Sequence, residues 1–191
     1  HLPYGGGGAQ ILVHDLDGDG DMDIVSSYNA HGYGLGWFEQ YEPGKFEKYE
    51  LMGESSTQNP YGLAFSQMHA LALADMDGDG RMDFVTGKRH LAHQGKDPGG
   101  LGEPVLYWFR NTLDAEKKIE FVPHFIHNDS GVGVEVKVAD LNGDSRPDVV
   151  SSSKKGLTIH LQKDATALSA TALERWKVPG GRPQDGYGSG L

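Results

Sequence analysis

Three nine-residue stretches, DLDGDGDMD (15–23), DMDGDGRMD (75–83) and DLNGDSRPD (140–148), repeat one pattern at offsets of 60 and 65 residues. Carboxylates at this density repel one another, so a chain that carries the pattern three times needs positive charge at each copy. Each copy is led into by an apolar run (AQILVH, HALALA, VEVKVA) and left by another (DIVSSY, DFVTGK, DVVSSS). Alternating and β-branched residues on both sides of a tight Gly/Asp turn predict a β-hairpin. Repeats at this period call for one supersecondary unit per copy.

Further strand-like runs follow each hairpin. They are GLGWFEQ and KFEKYEL in the first unit, PVLYWFR and IEFVPHFI in the second, and GLTIHLQ with ALERWKV in the third. Four short strands per unit predict an all-β fold of four-stranded antiparallel sheets, read as β-propeller blades, because such sheets bury both faces only by stacking on their neighbours. The expected units are 1–52, 53–127 and 128–178, followed by a flexible tail at 179–191. Three blades fall short of a closed ring, so a larger propeller or association of copies is expected.

The loops specify their own chemistry. Oxygens at positions 1, 3 and 5 converge because glycine lets the backbone turn, the position 7 carbonyl faces the same point, and the position 9 carboxylate completes the set. Hard oxygen donors in that number suit calcium better than magnesium, which keeps more of its water. The candidate ligands are Asp15, Asp17, Asp19, Asp21 (carbonyl) and Asp23; Asp75, Asp77, Asp79, Arg81 (carbonyl) and Asp83; and Asp140, Asn142, Asp144, Arg146 (carbonyl) and Asp148. About three structural calcium ions are expected. An EF-hand would need Glu at position 12 between helices; Ser26, Thr86 and Ser151 stand there, flanked by strand formers. The third loop, with Asn142 and with Ser145 in place of glycine, should be the weakest site.

Charge and composition narrow the partners. The loops hold twelve aspartates and two arginines, a net of ten negative charges, against a formal charge of −10 for the whole chain. No basic stripe with interleaved aromatics invites nucleic acid, and no apolar run reaches the roughly 18 residues of a membrane helix. Without cysteine there is no disulfide and no thiolate site.

The loop sequences DLDGDGDMDIV, DMDGDGRMDFV and DLNGDSRPDVV resemble the FG-GAP/VCBS-type repeats of calcium-stabilised β-propellers. Such repeats occur in integrin heads, bacterial surface and secreted proteins, some lectins, and some polysaccharide lyases and dehydratases. With NPYGLAFSQMHALALADMDGDG and SGVGVEVKVADLNGDSRPDVV, the chain is similar over residues 4–162 to the later blades of repeat proteins common in planctomycetes. That resemblance implies upstream blades before His1 and a secreted, periplasmic or cell-surface setting. The fold hosts receptors, lectins and enzymes alike, so it names no activity.

Aligning the units places a second polar group at the hairpin end away from the aspartates: His31, Tyr33, His69, Lys88 and Arg89. Such a set suits an anionic or sugar ligand. Two functions follow as expectations. One is a calcium-stabilised scaffold that binds carbohydrate or another protein. The other is the propeller domain of a polysaccharide lyase or dehydratase working through His69, Lys88 and Arg89. His90 and His93 also suggest zinc, but they lie on a Gly-rich loop with no clear third ligand, where solvated histidines are commoner.

Overall fold

The computed structural model describes residues 7–163 as three antiparallel sheets. The first comprises β1 (Ile11–His14), β2 (Asp23–Ser26), β3 (Leu35–Glu42) and β4 (Lys45–Met52). The second comprises β5 (Leu71–Ala74), β6 (Asp83–Gly87), β7 (Leu106–Leu113) and β8 (Ile119–His127). In the third, β9 (Glu135–Ala139), β10 (Asp148–Ser153) and β11 (Gly156–His160) pair in chain order. The expected strand ALERWKV and the expected tail 179–191 lie outside the described residues. Among the described residues no helix is long and apolar enough to cross a membrane.

Pairing registers carry the sequence offsets through. Leu12 faces Val25 in the first hairpin, Ala72 faces Val85 in the second, and Lys137 faces Val150 in the third. Those positions differ by the same 60 and 65 residues as the loops. The next strand repeats as well: Trp37, Trp108 and Ile159 stand opposite Val25, Val85 and Val150. A one-residue slip would turn every inward side chain outward, so equal registers put equivalent residues on the same side of each sheet. Pro123 in β8 costs no ladder bond between sheet neighbours on both sides, since β8 is an edge strand paired only with β7.

The second sheet is buried on both faces. Phe84 and Phe109, whose rings stack 4.8 Å apart, join Val25, Leu35, Trp37 and Met52 of the first sheet in one apolar cluster. Val85 and Leu106 point the other way, into a second cluster with Val136 and Val149 of the third sheet. All five residues of β6 are buried accordingly. Each fully buried large side chain here is worth about 1.5–3 kcal/mol. Ring stacking adds about 0.5–1.5 kcal/mol for a pair such as Phe84–Phe109.

Polar stitches fix how the sheets sit. Asn111 Nδ2 donates to the Leu16 carbonyl of the first sheet at 2.7 Å, and Gln162 Nε2 donates to the Met76 carbonyl of the second at 3.0 Å. The lead-in segments repeat the device with backbone: Gln67 N–H donates to the Gly32 carbonyl, and Val132 N–H to that of Lys88. The two outermost faces have no neighbour among the described residues. Ile11 and Val13 on the first sheet, and Leu157 and Ile159 on the third, are all more than half exposed.

Candidate functional site

Each aspartate loop is built on its own backbone. The first carboxylate of each (Asp15, Asp75, Asp140) accepts the N–H groups of positions 4 and 6, at 2.7–3.1 Å. Position 5 (Asp19, Asp79, Asp144) accepts the N–H of position 7 (Asp21, Arg81, Arg146) at 2.8–3.0 Å. Position 6 takes positive φ in all three copies: 100° at Gly20, 89° at Gly80 and 66° at Ser145. Only the third copy asks a residue with a Cβ to do so, at a cost of about 1–2 kcal/mol.

The ninth residue does more than close the loop. Asp23, Asp83 and Asp148 are all buried, and each accepts two backbone N–H groups. One comes from position 2 of its own loop (Leu16, Met76, Leu141) and one from the third strand or its extension (Gln40, Asn111, Gln162), at 2.8–3.2 Å. Loop, hairpin and third strand are therefore tied through one carboxylate. Burial pushes the Asp83 carboxyl up to about 6 and raises that of Asp23. Asp17 is also pushed up to about 6, first by burial and then by its acidic neighbours Asp23, Asp19 and Glu39. Such shifts mark carboxylates that the fold draws out of water and, to a lesser degree, toward one another.

The three copies differ in what surrounds the carboxylates. Oxygens of Asp15, Asp17 and Asp19 lie within 4.8 Å of one another, as do those of Asp75, Asp77 and Asp83. No such acidic trio occurs in the third loop, where Asn142 is neutral and Arg146 holds Asp144 at 2.5 Å. Arg110 on β7 reaches the second loop, 2.6 Å from Asp77 and 3.2 Å from Asp79. The residue in register with Arg110 in the first sheet is Glu39, an acid. Arg146 belongs to the loop motif itself, whereas Arg110 comes from a strand the motif does not signal.

At the opposite end of the hairpins the structure gathers the second predicted group. Arg89 donates to His69 Nε2 at 2.8 Å, and the His31 ring meets the His69 ring edge-on at 5.0 Å. Burial, then the nearby Arg89, lowers His69 to about 4. Lys88 is buried and its Nζ donates to the carbonyls of Arg89 and Gly100; burial lowers it to about 8. It is thus part of the wall. Tyr33 lies beside Gly99 and the buried Ser66. His93, noted in the sequence, and Asp97, which was not, complete the group: both meet His31, with the His31 and His93 imidazoles stacked 4.7 Å apart. The available signal was the connection length after each second strand, which is two residues in the third sheet (154–155), eight in the first (27–34) and eighteen in the second (88–105).

A cleft of about 660 Å³ opens beside the first loop, lined by Asp17, Trp37, Glu39, Tyr49, Tyr61 and Glu120 among others. Trp37 stacks on Tyr49 at 4.9 Å, and the Tyr61 hydroxyl donates to Glu120. Trp108 repeats the arrangement in the second sheet, stacking on His124, its own partner in the fourth strand, at 4.4 Å.

A family model described as an FG-GAP-like repeat matches residues 15–86, from the first residue of the first loop through the second loop and into β6. An FG-GAP-like repeat is therefore present over that stretch. No curated protein matches the chain.

Proposed function

We propose that this chain is a calcium-stabilised β-propeller segment, with units 1–52, 53–127 and 128–178, that serves as a scaffold for binding carbohydrate or a protein partner outside the cytoplasm. The observation that carries the reading is the double bond of Asp23, Asp83 and Asp148 to their loop and to the third strand. A cation held by the same loop would tie three strands at once. Oxygen-only donors, several of them charged, favour calcium, and millimolar extracellular calcium suits loops of modest affinity. The exposed apolar faces of the first and third sheets would be covered by further units or by another copy.

The cleft beside the first loop is the best place for the ligand. Aromatic rings of Trp37, Tyr49 and Tyr61 offer apolar platforms, while Glu39 and Glu120 offer acceptors for hydroxyls. The enzyme alternative around His69, Lys88 and Arg89 is the weaker reading. An imidazole held near 4 is a poor general base at neutral pH, and Lys88 is committed to backbone carbonyls. A glycan screen of the calcium-loaded protein tests the reading. Binding should fall about tenfold or more in Tyr49→Ala, since a stacked aromatic contributes on the order of 1–3 kcal/mol. Binding that survives both Tyr49→Ala and Glu39→Gln unchanged would move the ligand elsewhere, and no glycan or protein bound at all would remove the binding role.

A further inference from the structure

The insertion 88–105 folds back over the connection between β2 and β3 of the first sheet and places two of its side chains against His31. His31 Nδ1 lies 3.3 Å from His93 Nδ1 and 3.3 Å from Asp97 Oδ2, and His93 Nδ1 lies 2.7 Å from the same oxygen. Three ligand atoms of three side chains from two separate connections thus converge on one point. We propose that His31, His93 and Asp97 form a divalent transition-metal site of the zinc class, distinct from the aspartate loops.

Geometry and donor type both point that way. With bonds of about 2.0–2.1 Å, two ligands of a tetrahedral zinc ion stand about 3.3 Å apart. Two of the three edges already have that length, and the third, a His93–Asp97 hydrogen bond, would open by about 0.5 Å. Imidazole donors favour zinc, nickel or copper over calcium, so the site selects against the ion proposed for the loops. Both imidazoles are about half exposed, which leaves a path for the ion.

The surroundings hold the ligands in place. Leu91, His93 and Gln94 all take positive φ (45°, 47° and 62°) without being glycine. Backbone strain of this kind costs about 1–3 kcal/mol per residue and persists only where the structure enforces it. Lys154 of the third sheet anchors the segment by donating to the Leu91 carbonyl at 2.8 Å. His69 is not available as a fourth ligand through Nε2, because Arg89 donates to that atom. Three protein ligands leave one coordination position open, and the neighbouring Arg89 would favour an anionic occupant there.

The full chain in millimolar calcium, titrated with zinc and separately with cobalt(II), tests the site. One equivalent of zinc should bind, and cobalt should give the intense visible absorption of a four-coordinate ion. His93→Ala and Asp97→Asn should each weaken zinc binding by at least about a hundredfold, while Glu116→Gln, exposed and outside both sites, should leave it unchanged. These side chains are exposed or edge-lying, so melting temperature in calcium should stay within a few degrees of the parent and confirm folding. Zinc uptake that ignores His31→Ala and His93→Ala, or that is absent altogether, would overturn the proposal.

Discussion

The two ends of these hairpins are built on opposite plans. At one end a nine-residue loop recurs three times, its carboxylates cradled by their own backbone N–H groups and its ninth residue locked to a third strand. At the other end the connections differ in length, and a single insertion creates a histidine cluster not repeated among the described residues. The repeated end is integral to folding, because its buried carboxylates satisfy buried backbone donors. The unrepeated end is added to a finished frame, and its exposed imidazoles satisfy little else. Stability should therefore be concentrated at the aspartate end and adaptable chemistry at the histidine end.

Removing Asp83 tests that division most severely. Asp83→Ala would orphan the buried N–H groups of Met76 and Asn111, at about 1–3 kcal/mol each. A loss of about 3–5 kcal/mol in denaturant unfolding is expected, against less than about 0.5 kcal/mol for His93→Ala. Equal losses at the two ends would break the comparison.

Lys88 sharpens it from the other side. Burial lowers Lys88 to about 8 in the folded chain, below the usual lysine value. Between pH 8 and 10 the unfolded chain keeps this proton and the folded chain does not, so stability attributable to Lys88 rises with pH through that window. Wild type should gain up to about 2 kcal/mol relative to Lys88→Met between pH 8 and 10. An unchanged difference across that window would mean that Lys88 is not desolvated as the fold implies.

Smaller effects separate the loops from one another. Ser145→Gly relieves positive φ in the third loop and should stabilise the protein by about 0.5–1 kcal/mol, measured by thermal melting. Arg110→Gln frees Asp77 and Asp79 from an internal cation. Being partly exposed, it should change stability by less than about 1 kcal/mol, while raising the cation affinity of the second loop several-fold in a titration.

Sequence made the repeated end legible and left the other end obscure, for a physical reason. Leu12–Val25, Ala72–Val85 and Lys137–Val150 share one register because local hairpin geometry is set by nine adjacent residues. The weakness expected of the third loop is consistent with its missing acidic trio and its left-handed Ser145. Contacts that depend on where a distant strand or insertion comes to rest could not be read in advance. Arg110 reaches the second loop from β7, Asn111 and Gln162 stitch neighbouring sheets, and Asp97 meets His31 across 66 positions. Lys88, expected among ligand-binding residues, is buried and donates to the Arg89 and Gly100 carbonyls. Its sequence position showed which end it occupied but not how deeply it would be buried.

The central claim is that the aspartate loops are calcium sites on which the fold depends. Calorimetric titration of the chelator-treated chain with calcium, followed by melting with and without chelator, tests it most directly. The account predicts two stronger sites, a weaker third that Ser145→Gly improves, and a melting temperature that falls by at least about 10 °C in chelator. No binding heat together with an unchanged melting temperature would contradict it, leaving the loops as acidic turns held by backbone hydrogen bonds alone.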